Sequence, residues 1–155
     1  MRYTIATAGA VVALDALSKQ QVMSRMALGE TLPIIEGLLY FTYIQNPGAA
    51  YGLFAGERWF LVGISAIVVV ATLIYAHRVE RLGEQVLLGV FIGGALGNLI
   101  DRLRWGMVTD FIQIAPLPIF NVFNLADVAV VTSSLLIVLM MILGSFHLPG
   151  TKYQN

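Results

Sequence analysis

Two aspartates in the C-terminal half of the chain have the residue type and the surroundings of a catalytic pair. Asp110 lies in the apolar stretch MVTDFI and Asp127 in FNLADVAV, and neither has a basic residue three or four positions away. Two carboxyl groups that share a small site cannot both ionise readily, so one keeps a proton while the other acts as a base. In aspartic proteases the ionised acid activates water and the protonated acid polarises the scissile carbonyl. The pair therefore predicts hydrolysis of a peptide bond.

Further polar residues recur at helical spacing beside the apolar segments. Asp15 and Lys19 are four residues apart with the acid first, which brings them together on one helix face. Asn124 lies three residues before Asp127, where it can cap a helix whose N-terminus stabilises the acid. A carboxylate within a membrane span costs about 2.5–3.5 kcal/mol on insertion scales, so such a residue is a functional candidate. The polar residues expected to meet at one membrane level are Asp15, Lys19, Asn46, Asn98, Asp101, Arg102, Asp110, Asn124 and Asp127.

A purely structural interpretation is the alternative for some of these residues. Asp15 with Lys19, and Asp101 with Arg102, can be ion pairs that only hold helices together, and Asn124 can be only a cap.

Membrane-spanning helices must position this chemistry. The chain has 155 residues, of which 58% are hydrophobic and 12% charged, and its mean hydropathy is +0.82; in soluble domains about 25% of residues are charged. Four apolar stretches, at about 5–26, 59–76, 83–100 and 126–146, are long enough to cross a hydrocarbon core. Asp15 interrupts the first stretch and no convincing cleavage site follows it, which favours a span over a signal peptide. We predict an all-α four-helix transmembrane bundle formed by a single domain, residues 1–155.

A small extramembrane β element is predicted at about 30–56. The segment LLYFTYI (38–44) is rich in aromatic and β-branched residues and too short to span, and prolines and glycines surround it. Four spans place both termini on one side and the segments 27–58 and 103–125 on the other. Basic residues divide four against five between the sides, so the charge bias does not decide the orientation. The tail, 148–155, is predicted to be disordered.

The composition argues against several kinds of site. The chain has no cysteine, so it has no thiolate ligand or nucleophile. His77 and His147 fall at span ends opposite the other polar residues, and we predict neither a zinc site nor any other cofactor. Formal net charge is zero and no basic run occurs, which indicates no nucleic-acid partner. A single bundle suffices for the site, so we expect a monomer.

Five motifs occur in an order and at a spacing that match a known family. They are DALSK (15–19), NPGAAYG (46–52), GGALGNLIDR (93–102), VTDF (108–111) and FNLAD (123–127). With these motifs the chain resembles bacterial lipoprotein signal peptidase, also called signal peptidase II. It departs from many members at Ala16, where they carry Gln. The segment from Asp110 to Asp127 is slightly shorter than in some relatives, which affects the expected shape of the substrate-facing loop.

The resemblance implies both an activity and a location. It implies that the enzyme hydrolyses prolipoproteins just before a cysteine that carries a diacylglyceryl group, and that Asp110 and Asp127 are the catalytic dyad. It further implies a bacterial cytoplasmic (inner) membrane protein with both termini in the cytoplasm, a site near the outer face, and membrane lipid as a partner. The residues that it implies as substrate-binding or supporting are Asp15, Lys19, Asn46, Gly48, Asn98, Asp101, Arg102 and Asn124.

Two other functions are alternatives. A proton or ion transporter can also use paired acids, but it predicts polar residues across the full membrane depth. A non-catalytic lipid-binding protein would use Asp110 and Asp127 only as caps or structural partners.

Overall fold

Four helices and one three-stranded sheet make up the described part of the chain. The computed structural model describes residues 1–115 and 122–146. The elements in chain order are α1 (Arg2–Arg25), β1 (Thr31–Ile35), β2 (Leu39–Asn46), a 3-10 helix (Ala50–Gly52), α2 (Arg58–Ala76), α3 (Leu82–Trp105), β3 (Val108–Ile114) and α4 (Leu125–Ile142). His147, the tail 148–155 and residues 116–121 of the loop between the two aspartates lie outside the described residues.

Three of the described helices are long and apolar enough to cross a membrane. These are α2, α3 and α4, and they identify the chain as a membrane protein. The fourth helix, α1, is also 24 residues long, but it does not reach the same apolarity, because Asp15, Lys19 and several polar neighbours occupy its C-terminal half. Length and composition therefore support three of the four expected spans.

Glycines in α3 allow its neighbours to approach closely. A Cβ atom built on Gly93 would lie 2.7 Å from the Val11 Cβ, and one built on Gly97 would lie 2.6 Å from an Asp15 carboxylate oxygen. On another face, Gly94 lies against the backbone of α4. Gly93 and Gly97 lie four residues apart, and both let α1 approach closely. As a result α3 packs against all three other helices.

The sheet lies at the end of the bundle where α1 ends and α4 begins. Its order is β1-β2-β3 and both pairings are antiparallel. A cluster formed by Val22, Met26, Tyr43 and Phe111 packs the sheet against the end of α1. Asp110 pairs with Ile44 in the β2–β3 register, and Val108 pairs with Asn46.

The predicted boundaries need three corrections. The β element is not confined to 30–56, because residues 108–114, which we expected to be only a connection between helices, form β3. Helix α3 continues to Trp105 rather than stopping near residue 100, and it ends at Gly106, whose φ of 79° lies in the left-handed region that favours glycine. Helix α4 ends at Ile142 rather than 146.

Candidate active site

Asp110 lies on β3 and is almost completely buried, with 2% of its surface exposed. The side-chain amide of Asn46, at the end of the neighbouring strand β2, donates to its Oδ2 at 3.0 Å. The Asn124 amide donates to its Oδ1 at 2.7 Å. Both carboxyl oxygens of Asp110 are therefore held by amide N–H groups.

Asp127 lies in the first turn of α4 and closes a capping box. Asn124 precedes the helix, and its Oδ1 accepts from the Asp127 backbone N–H at 2.9 Å. The Asn124 backbone N–H in turn donates to Asp127 Oδ2 at 3.1 Å. The predicted cap is thus confirmed. The second carboxyl oxygen of Asp127, Oδ1, accepts from the Asn98 amide at 2.7 Å.

Asn124 contacts both acids, and it uses a different one of its own groups for each. Because its Oδ1 is committed to the cap of α4, its amide nitrogen must point away from that cap, toward Asp110. The same nitrogen also lies 3.1 Å from Asn98 Oδ1. The cap that starts α4 therefore also fixes the place of Asp110 relative to Asp127.

A buried charge cluster supports Asn98 from the α1 side. The ammonium group of Lys19 lies 2.7 Å from an Asp15 oxygen and 2.9 Å from an Asp101 oxygen. It also donates to Asn98 Oδ1 at 3.1 Å, so the amide nitrogen of Asn98 faces Asp127. The predicted contact between Asp15 and Lys19 is confirmed. The cluster joins α1 to α3, and it also orients Asn98, which contacts Asp127.

The alternative pairing of Asp101 with Arg102 is wrong. Adjacent residues on a helix do not face each other, so Asp101 reaches Lys19, whereas Arg102 donates to the Gly48 carbonyl at 3.0 Å. The Gly48 backbone N–H then donates to Asn46 Oδ1 at 2.9 Å, which turns the Asn46 amide nitrogen toward Asp110. A Cβ at Gly48 would lie 2.6 Å from the Leu53 carbonyl oxygen, so the turn requires glycine there.

The environment of Asp110 favours its protonated form. The pKa of Asp110 is raised from 3.8 to about 7, chiefly by burial and secondly by the nearby negative charge of Asp127. Hydrogen bonds from Asn46 and Asn124 and the positive charge of Lys19 lower this pKa, but they do not outweigh burial. Near neutral pH the pair therefore holds a proton that it can exchange, as acid–base chemistry requires.

Both acids line one cavity of about 660 Å³. Its walls come from α2, α3 and α4, and its end is closed by β2, β3 and the segment after Asn46. Apart from the acids and their amide partners, most of the lining side chains are aliphatic or aromatic. Since α2 and α4 both pack on α3 and barely contact each other, the cavity lies between them. An apolar ligand can thus reach two carboxyl groups at one end of a cleft between apolar helices.

All ten predicted site residues belong to one connected set, although their contacts with the acids differ. Asn46, Asn98 and Asn124 contact an acid directly. The other supporting residues act through these amides or through the backbone. Asp15, for example, accepts from the Ala126 N–H at 3.0 Å at the start of α4.

Sequence reasoning missed Thr109. Its backbone N–H donates to Asp101 at 3.3 Å and its carbonyl oxygen accepts from Asn124 at 3.3 Å. It is 2% exposed, beside Asp110. The β-branched character of VTDFI could have indicated a buried strand here.

Comparisons with known proteins agree with this architecture. A family model described as signal peptidase (SPase) II matches residues 7–143. The lipoprotein signal peptidase of Halothermothrix orenii is 42% identical over 132 residues, which cover 84% of this chain and 89% of that protein. The lipoprotein signal peptidase of Bacillus subtilis is 36% identical over 139 residues, covering 87% and 90% of the two chains.

Solved structures share the fold. A bacterial membrane enzyme determined by the in meso method at 2.3 Å resolution is similar with a TM-score of 0.87 and 28% identity, covering 99% of this chain and 96% of that one. A second bacterial membrane enzyme, determined at 1.9 Å resolution, gives a TM-score of 0.82 and 30% identity, covering 91% and 93%. With the family model matching most of its length, this chain belongs to the signal peptidase II family and is a peptidase.

Proposed function

We propose that the protein is an intramembrane aspartic endopeptidase that removes the signal peptide from diacylglyceryl-modified prolipoproteins by hydrolysing the bond before the lipidated cysteine. The observation that carries the proposal is the placement of Asp110 and Asp127. Both line one apolar cavity, and Asn124 holds both of them. Membership of the signal peptidase II family supports the substrate class.

The two acids divide the work by protonation state. Asp110, whose pKa is raised to about 7, donates a hydrogen bond to the scissile carbonyl oxygen. Asp127 is the ionised partner and takes a proton from water as the water oxygen adds to the carbonyl carbon. Collapse of the tetrahedral intermediate breaks the C–N bond, and the leaving nitrogen receives a proton from the dyad. The products are a signal peptide with a new carboxylate and a lipoprotein with a free amine on its cysteine.

The supporting residues keep the acids in this arrangement. Asn46 and Asn98 each hold one acid through an amide N–H. Lys19 and the backbone of Gly48 fix which end of each amide faces the acid. Because reacting groups must be held within a fraction of an ångström, these contacts contribute to rate through positioning.

The cleft suits a substrate that arrives from within the bilayer. A lipid-anchored signal helix presents its cleavage point at membrane depth and must enter sideways, and the apolar space between α2 and α4 provides such a route. In this proposal the protein is a monomer and a single domain of the bacterial inner membrane, with α1 as the fourth span. Both termini face the cytoplasm, the dyad lies near the outer face, and the sheet rests on the outer bilayer surface.

A cleavage assay with purified protein tests the activity. We expect cleavage of a lipidated prolipoprotein but not of its unlipidated form. Asp110→Asn and Asp127→Asn should each reduce the rate by about 10²–10⁴-fold or more, because each loses a proton-transfer group. The Glu36→Gln variant, a matched acid-to-amide change at an exposed site in the turn between β1 and β2, should cleave the substrate normally.

Two results would contradict the proposal. Full activity in either aspartate variant would show that the dyad is not catalytic. An intact substrate with the wild-type protein would favour the non-catalytic lipid-binding alternative.

A further inference from the structure

The α2 wall of the cavity carries a hydrogen-bonding side chain to which the proposed mechanism gives no role. Ile64, Ser65 and Val68 are the described α2 residues that line the cavity, and of these only Ser65 has a hydroxyl group. Within residues 1–115 and 122–146, this hydroxyl makes no hydrogen bond to another residue.

Several Ser and Thr hydroxyl groups on α2 and α4 bond instead to the preceding turn of their own helix. Thr72 in the same helix donates to the Val68 carbonyl at 2.8 Å. Thr132, which lines the α4 wall, donates to the Val128 carbonyl at 2.6 Å. Ser133 donates to the Ala129 carbonyl. Such bonds to the preceding turn are the usual way for a helix to satisfy Ser and Thr in an apolar setting. Ser65 keeps its donor available on the cavity side.

Ser65 lies near the level of the dyad. Arg58, at the start of α2, donates to the carbonyl of Leu103 near the end of α3 at 2.8 Å, which aligns these two antiparallel helices. At 1.5 Å per residue, Ser65 lies about 10 Å further along α2, which places it within roughly one helical turn of Asn98 on α3. Asn98 contacts Asp127 directly. Ser65 therefore faces the dyad region from the opposite wall.

A substrate in this cleft brings carbonyl groups that need donors. A peptide held extended for cleavage has carbonyl oxygens without helical partners, and an unsatisfied polar group in hydrocarbon costs several kilocalories per mole. The diacylglyceryl group adds two ester carbonyls. Both kinds of carbonyl must pass an otherwise aliphatic α2 wall.

We infer that the Ser65 hydroxyl binds a carbonyl oxygen of the substrate across the cleft from the dyad. The inference rests on the proposed peptidase function and adds a binding residue to it. The oxygen belongs either to the peptide backbone of the signal segment or to an ester of the diacylglyceryl group, and these two sources can be separated experimentally.

The test compares Ser65→Ala with wild type on two synthetic lipopeptides, one with an ester-linked diacylglyceryl group and one with an ether-linked dialkylglyceryl group. Loss of one neutral hydrogen bond should lower kcat/KM by about three- to tenfold. The change should appear mainly in KM, since Ser65 lies away from the acids. A loss restricted to the ester substrate identifies an ester carbonyl, and an equal loss on both identifies a peptide carbonyl.

Thr72→Ala is the matched control, because it removes a hydroxyl from the same helix that does not line the cavity. Unchanged kinetics of Ser65→Ala on both substrates, or an equal loss in Thr72→Ala, would overturn the inference. Asp110→Asn serves as the inactive reference in the same assay. If wild type cleaves, Asp110→Asn does not, and Ser65→Ala matches wild type, only the inference fails. Absence of wild-type cleavage would reject the proposed function and the inference together.

Discussion

Each side-chain amide around the dyad is held at both ends. Asn98 accepts from Lys19 and donates to Asp127, while Asn46 accepts from the Gly48 N–H and donates to Asp110. An amide with a committed oxygen cannot flip, so its nitrogen stays directed at the acid. At the scale of single residues, the site is thus a set of oriented donors around two carboxyl groups.

The raised pKa of Asp110 predicts an alkaline limit to activity. In the proposed mechanism the scissile carbonyl needs the proton of Asp110, which is lost above about pH 7, so kcat/KM should fall by about tenfold per pH unit there. The measurement is kcat/KM for the lipidated substrate between pH 5 and pH 9 in one detergent. A rate that still rises above pH 8 would contradict the assigned role of Asp110.

The same pKa predicts how stability depends on pH. Asp110 binds its proton more tightly in the folded protein, with a pKa of about 7, than at its ordinary value of 3.8. Its contribution to the free energy of unfolding is therefore fully present below about pH 4 and is lost as pH rises through about 7. We expect the Tm of wild type to decrease more between pH 5 and pH 8 than the Tm of Asp110→Asn. Parallel curves would show that Asp110 titrates normally.

At the scale of elements, α3 holds the site together because it presents glycines on two of its sides, one toward α1 and one toward α4. Gly97 admits the Asp15 side chain, and Gly94 admits the α4 backbone. These contacts bring the N-terminus of α4 beside α1, where the Ala126 N–H meets Asp15. Helix packing therefore determines where α4 begins, and with it the position of Asp127.

A pair of glycine substitutions tests this packing. In Gly97→Ala the new methyl group would lie 2.6 Å from Asp15 Oδ2 and 3.2 Å from the Ala126 Cβ, so overpacking should destabilise the fold by about 1–3 kcal/mol and reduce activity. Gly63→Ala in α2 meets nothing within 4 Å and should stabilise by about 0.5–1 kcal/mol through helix propensity. Thermal unfolding and cleavage rates measure both effects; equal behaviour of the two variants would refute the packing argument.

Contacts between residues that are close together in the chain could be predicted from local sequence patterns. Helical spacing indicated the contact of Asp15 with Lys19 and the cap formed by Asn124. The third partner of the charge cluster, Asp101, comes from a distant helix, and local spacing instead suggested its pairing with Arg102. Strand β3 was missed for a similar reason, since its pairing with β2 joins residues more than sixty positions apart, and it directly follows a long apolar helix.

At the scale of the whole molecule, orientation cannot be derived from the count of basic residues. Two of the five on the sheet side, Lys19 and Arg102, are committed to contacts within the site. Even when these two residues are left out, the remaining count of four against three does not decide the orientation.

Cysteine labelling tests the proposed orientation directly, because the chain contains no cysteine of its own. Glu36→Cys lies in the exposed turn between β1 and β2, and Glu80→Cys lies in the exposed loop between α2 and α3. A membrane-impermeant maleimide should label the first variant on the outer face of the inner membrane and the second only after that membrane is permeabilised. The opposite pattern would invert the proposed topology.

The two acids are carried by different kinds of element, Asp110 by a strand of the sheet and Asp127 by a helix long and apolar enough to span a membrane. A helix in a bilayer tilts when its apolar length exceeds the hydrocarbon thickness. The Asn124 side chain bonds both to the start of α4 and to Asp110, so it links the strand to the helix at this point. The two acids should therefore move as one unit when α4 tilts, and the cleavage rate should change little between bilayers of different acyl-chain length.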